Sequence, residues 1–289
     1  MKKIIVLLLC IGCCVSLHAQ KKEKALSIRT QDGWSINSVY LPAEPEQKTV
    51  LLLHDIGKDH TAYAPFMEKI AAKDMGYLAL DLRGHGKSTQ HDGESAPVEY
   101  KSFAKEGVDN DYNKMTRDID AAMEYLKSQG VPPQDIIWVG AGLGANVAAK
   151  ASNLWPDVSG LALLNPVTNF RDVLPIPALR VYKGKVFIAA AADDKKTFLE
   201  ASVMRNVAFL TNGEGNVTFA TAYDKKGHEL LDSWVTPELV QWLQIPQRPP
   251  LSPDILEIES EEGDGGVGYL TVESSATEEA LVPSVLQLN

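Results

Sequence analysis

The chain has 289 residues, 45% of them hydrophobic, with 38 acidic against 28 basic side chains and a formal net charge of −10. That length admits one sizeable core with a small appendage, and the lack of any basic stripe excludes an ordinary nucleic-acid partner, because nothing stands ready to meet phosphates. The acidic excess is local: residues 246–289 hold nine acids against Arg248, a balance of −8, which leaves −2 for residues 1–245.

At the N-terminus, Lys2-Lys3 leads into the apolar run 4–9 and on to Leu17-His18-Ala19-Gln20. A basic start and a short apolar core predict a signal peptide over residues 1–19, and so a periplasmic or secreted protein. The run is far shorter than the roughly 20 residues a membrane span needs, so no transmembrane span is expected. A lipid anchor on Cys13, after Ile11-Gly12, would make an envelope protein and is the second reading. The three cysteines, Cys10, Cys13 and Cys14, all lie in this segment. A chain cleaved after Ala19 would therefore carry no disulfide and no cysteine-bound metal.

Residues 25–29 and 34–41 flank Asp32-Gly33 and predict an antiparallel hairpin. Residues 49–53 are almost wholly apolar, as a strand buried on both faces should be. A helix follows over 63–73 and a strand over 77–80. Residues 99–113 are polar and predict a loop covering part of a site. Helix 115–128, with Ile119, Ala122, Met123 and Leu126 at helical spacing, precedes strand 136–139 and helix 145–153. Strands 161–164, 186–190 and 217–221 then alternate with helices 197–206 and 237–243, the last opened by Thr236-Pro237. Such alternation predicts an α/β protein, a mostly parallel sheet of about eight strands with helices on both faces. The domain should span residues 25–245. Residues 246–289 form an acidic C-terminal appendage, a partner-binding tail if mobile and a sheet-edge support if packed.

Chemistry-bearing motifs fall at strand ends. Val139-Gly140-Ala141-Gly142-Leu143-Gly144-Ala145 has the spacing of a G-x-S-x-G nucleophile elbow, with Gly142 where the serine should be. A G-x-G-x-x-G dinucleotide site fails at Ala145, so no cofactor is expected. The chain also lacks H-E-x-x-H and any tight histidine cluster, so no metal site is expected; His18, His60 and His91 show no ligand spacing, and His54 and His85 read as loop architecture. Asp194 after strand 186–190 and His228 near the end suit an acid that orients an imidazole base.

Taken in order, His54-Asp55-Ile56-Gly57, the run from Asp81 to Ser88, the glycine elbow, Ala192-Asp193-Asp194 and Gly227-His228-Glu229 resemble the α/β-hydrolase superfamily over residues 25–245. The resemblance implies an α/β-hydrolase fold, Asp194 and His228 as the remnant of a Ser-Asp-His triad, and oxyanion-type amides at Ile56 and Leu143. His54-Asp55-Ile56-Gly57 with Gly140-x-Gly142-x-Gly144 also resembles the non-enzymatic N-myc downstream-regulated branch. Asp55 stands where a glycine is usual and puts a negative charge near an anion site. The leading expectation is an exported protein that lacks serine catalysis and binds a small apolar or acyl molecule or a protein. Two alternatives stay open: an atypical hydrolase of an ester, amide or lipid in which Asp194 and His228 activate water, and an envelope scaffold acting through its acidic tail. Gly142→Ser is expected to restore modest hydrolysis.

Overall fold

A computed structural model describes residues 22–244; the expected signal peptide, lipid anchor and acidic appendage lie outside the described residues. Strands β1 (Lys24–Arg29) and β2 (Trp34–Leu41) form the antiparallel hairpin, turning at Asp32-Gly33 with Gly33 at φ 94°. β2 continues antiparallel onto β4 (Gly76–Leu80), and β4 lies parallel to β3 (Thr49–Leu53). Strands β6 (Ile136–Ala141), β7 (Gly160–Leu164), β8 (Lys185–Ala191) and β9 (Val217–Ala222) extend the parallel part beyond β3. The order is β1-β2-β4-β3-β6-β7-β8-β9, and the two-residue strand β5 (Gln90–His91) hangs on β2 as a ninth.

The strand alternation sorts the core. Leu51 and Leu53 of β3 pack on one side of the sheet, Val50 and Leu52 on the other, as a period of two requires. The first side is covered by α3 (Thr116–Ser128), α4 (Leu143–Ala151), α5 (Ile176–Leu179) and α6 (Lys195–Asn212); the second by α1 (Ala64–Ala71) and α7 (Val235–Gln244). One further short helix, α2 (Asp111–Lys114), leads into α3. This is the expected α/β-hydrolase arrangement with helices on both faces. Among the described residues no helix is long and apolar enough to cross a membrane.

Some boundaries differ from the sequence reading. The helix expected over 63–73 is a 3-10 turn, His60–Tyr63, followed by α1. Asp59 starts that turn by accepting from the Thr61 amide. Helix α6 runs six residues past the expected end because nothing breaks it before Gly213, which sits at φ 77°. The last helix starts at Val235, placing Pro237 inside the first turn, where its missing N–H costs nothing.

Strand order reverses between β3 and β6: the chain steps from β3 outward to β4, then returns to the other side of β3. A crevice at such a reversal, outside the C-terminal strand ends, is where open α/β sheets bind ligands. Asp55 follows β3 there and Gly142 follows β6.

Candidate active site

The elbow is built as its spacing requires. Gly142 joins β6 to α4 at φ 50°, ψ −113°, and its amide donates to the Leu164 carbonyl at 2.9 Å. Small neighbours are obligatory: a Cβ on Gly144 would strike the Leu53 carbonyl, and one on Gly140 the Gly144 carbonyl. The turn has the geometry of a nucleophile elbow, with glycine at its centre.

The space over Gly142 is filled from another loop. Oδ1 of Asp55 accepts the Ile56 amide at 2.7 Å and the Leu143 amide at 2.9 Å. These are the two amides that the resemblance assigns to an oxyanion. The structure brings them together, but around the protein's own carboxylate. A Cβ on Gly142 would collide with both oxygens of Asp55, so glycine at 142 and this placement of Asp55 depend on each other. Oδ2 accepts no hydrogen bond among the described residues and lies against Gly227; a Cβ there would sit 2.7 Å from it. Sequence reasoning saw Asp55 as a disturbance to an anion site. It did not see that the side chain folds back into it, and the one available signal was an acid where glycine is usual.

Asp194 and His228 are not joined. The Asp194 carboxylate caps α6 by accepting the Thr197 amide at 3.2 Å and pairs with Lys226 Nζ at 3.5 Å. The Thr197 amide, then Lys226, hold its pKa below the ordinary value. The half-buried His228, in the 3-10 turn Gly227–Asp232, has no hydrogen-bond partner among the described residues. The orientation expected of Asp194 is therefore absent from this geometry, and the carboxylate that lies against Gly227, the residue before His228, is that of Asp55.

The other histidines brace loops, as expected of His54 and His85. His54 is fully buried; the Leu82 amide donates to its Nε2 at 2.9 Å, so the proton sits on Nδ1 and is donated to the Asp55 carbonyl at 2.7 Å. This bond holds the backbone of the residue that fills the oxyanion position. Burial, reinforced by His85, pushes the His54 pKa down to about 4. Because that lies below an unfolded value of about 6.5, the stabilisation is complete above about pH 6.5 and is lost as pH falls toward 4, roughly 3 kcal/mol in all. His60 has the opposite sign: the hydrogen bond its ring donates to Asp81 raises its pKa, so its contribution is present in acid and fades as pH rises. We expect imidazole NMR to find His54 neutral at pH 5. Denaturant midpoints of the parent and of His54→Gln should converge between pH 7 and pH 4.5; a constant gap would contradict this titration.

His85 donates Nδ1–H to the Arg83 carbonyl and stacks on Tyr100, with centroids 4.2 Å apart and an 8° interplanar angle. Tyr100 belongs to the expected covering loop, and with the loops after β3 and β4 it encloses a cavity of about 200 Å3 bordered by Lys58, Asp59, His85 and Glu99. The fold also gathers Asp59, His60 and Asp81, whose ligand atoms lie within 4.8 Å of one another, from loops that no sequence spacing connects. Both oxygens of Asp81 and Oδ1 of Asp59 are engaged internally. Asp81 accepts from the His60 ring and amide, Asn37 and the Lys87 amide, while Asp59 accepts from Thr61.

A glycine elbow, two convergent amides and a histidine after the last strand, at the strand-order reversal of a mostly parallel sheet, define an α/β hydrolase in architecture. Residues 44–211 match the family described as Serine aminopeptidase, S33, and the chain belongs to that family. Two relatives are similar over part of their length. They are the Escherichia coli K12 protein YnbC, described as uncharacterized (26% identity over 220 residues, 73% of this chain and 34% of that one), and protein phosphatase methylesterase 1 of Schizosaccharomyces pombe (26% over 153 residues, 50% and 41%). The chain thus spans well under half the length of either. The fold is similar to that of Pyrococcus furiosus esterase Pf2001 (TM-score 0.62, 16% identity, 77% of this chain and 92% of that one). It is also similar to dienelactone hydrolase from Anabaena variabilis (TM-score 0.60, 13% identity, 77% and 95%).

Proposed function

We propose that this chain is an exported member of the family that has given up serine-dependent acyl transfer and binds a small molecule in the crevice where β3 and β6 end. One observation carries the reading: the Asp55 carboxylate occupies both amides that an acyl oxyanion would need, over a Gly142 that has nothing to attack with. A carbonyl substrate would find neither nucleophile nor oxyanion donors. Export is supported by Lys2-Lys3 and the short apolar run behind it. The esterase and methylesterase likenesses favour a hydrolytic ancestry, and the free Oδ2 of Asp55 favours retained chemistry of another kind as the second reading.

The test is direct. A fluorophosphonate probe is expected to label no serine, and short acyl esters to turn over near background. Mass spectrometry of the mature chain is expected to find Gln20 first, or a lipidated Cys13. A labelled serine beside His228 overturns the first half of the proposal, and an intact N-terminus on the cytoplasmic side the second.

A further inference from the structure

We propose that the flank formed by β9 and α6 is a self-complementary interface whose partner is a second copy of this chain, joined β9 to β9 and α6 to α6 about a two-fold axis. The proposal stands independently of what the crevice at Asp55 binds.

The strand path ends at β1 and at β9, and the two ends are protected unequally. β1 carries Lys24 and Arg29, charges of the kind that keep another strand from pairing with an edge. β9 pairs with β8 alone among the described residues and reads Val217-Thr218-Phe219-Ala220-Thr221-Ala222, six residues without charge, proline or glycine. Its outward N–H and C=O groups form a template for one more strand, with nothing in the strand itself to discourage pairing. Two copies of one edge meet antiparallel about a two-fold axis, so that each strand offers the other the same six residues.

α6 packs over β8 and β9 and stays apolar well beyond what it buries. Ala201, Met204 and Ala208 are its buried residues, while Leu199, Val203, Phe209 and Leu210 are four of the ten exposed large hydrophobics among the described residues. Phe198, Ser202, Arg205 and Phe209 recur at helical spacing on the flank next to β9, where Phe198 and Arg205 meet the Phe219 ring at 5.8 and 6.0 Å. A two-fold axis through the middle of the helix sets Phe198 against Phe209 of the second copy, and Ser202 against its Arg205. The charges agree with that direction. Lys195 and Lys196 open the helix, where its dipole disfavours cations, and the last turn holds no basic residue. An antiparallel second α6 brings those lysines beside the last-turn carbonyls of its neighbour. The spacing agrees as well: with strands about 4.8 Å apart, two helices that each straddle β8 and β9 come to lie about 10 Å from one another, a packing distance. A strip about 27 Å long and about 20 Å deep covers roughly 550 Å2 per copy, and the pair reaches the about 1,000 Å2 that a specific interface needs.

Sedimentation equilibrium of the mature chain from Gln20 is expected to give the mass of two chains. Phe209→Glu on the helix and Thr218→Lys on the strand should each weaken the association about 10-fold or more while circular dichroism stays that of the parent. The direction of pairing is read by oxidative cross-linking, since a chain from Gln20 has no cysteine of its own. Ser202→Cys, about 5 Å along the axis from its counterpart, should form a linked pair, and Leu210→Cys, more exposed but about 20 Å from its counterpart, should not. Should Thr218→Lys fail to fold, Phe209→Glu and the two cysteine variants still decide. A single-chain mass up to about 100 μM, which would leave the face to a different protein, overturns the proposal. So does a dimer indifferent to Phe209→Glu, or one linked through Leu210→Cys and not through Ser202→Cys.

Discussion

Replacing Asp55 by glycine and Gly142 by serine together should raise hydrolysis of short p-nitrophenyl esters about 100-fold over either single replacement, the magnitude attached to an oxyanion donor. Sequence alone predicts a modest recovery from Gly142→Ser by itself. The structure changes that expectation, because the serine Cβ would be driven into the Asp55 carboxylate. Asp55→Gly alone frees the Ile56 and Leu143 amides but supplies no hydroxyl. Only the pair provides a nucleophile and vacant donors at once. Recovery will stay far below that of an evolved hydrolase, since Asp194 is engaged with Thr197 and Lys226 and does not orient His228. Gly142→Ser alone should also lose stability, by about 1–3 kcal/mol from a backbone at φ 50°, ψ −113° and by more from the collision. Initial rates and thermal unfolding of the three variants check this; equal activity in Gly142→Ser and the double variant would show that Asp55 does not block the site.

Asp118→Ala should cost about 3–5 kcal/mol and lower the unfolding temperature by roughly 10 °C, although Asp118 lies outside the crevice. Arg83 has no solvent exposure, and neither does Asp118. The carboxylate accepts the Arg83 amide at 2.9 Å and its Nε at 2.8 Å, and lies 2.7 Å from Nη2. Asp32 takes Nη1 at 2.8 Å, and the guanidinium stands 5.4 Å from the Trp34 ring centroid. Removing Asp118 leaves a buried cation with only the Asp32 side of its fork satisfied. An exposed pair such as Lys127–Glu124, at 3.8 Å, should matter by less than about 1 kcal/mol when broken. Thermal unfolding of Asp118→Ala beside Glu124→Ala makes the comparison, and similar small losses in both would contradict the assigned role of the buried network.

The fold was legible where a single physical signal dominated. Thr49 to Leu53 could only be a strand covered on both faces, and every residue in it is buried. The glycines at 140, 142 and 144 announced a turn pressed against its neighbours, and the resemblance to the α/β-hydrolase superfamily pointed to the amides of Ile56 and Leu143 beside it. What escaped were the features set by few residues or by distant side chains. Helix α5 has four residues, with Pro175 before it and Pro177 inside it, and β5 has two, too short for any periodicity. The seating of Asp55 links positions 88 apart through a rotamer that sequence does not display. The pairing of Asp194 with Lys226 instead of His228 is likewise a choice among neighbours that only folding makes.

The mutual exclusion at the elbow also constrains history. A side chain at 142 and the Asp55 carboxylate as placed cannot coexist, so a lineage descending from a serine-bearing relative could not acquire the aspartate in this pose first. A serine-bearing relative would have to lose its serine before this pose of the aspartate became available. Reversion is blocked by the same epistasis: restoring serine now meets an occupied site, so the two positions must change together or not at all.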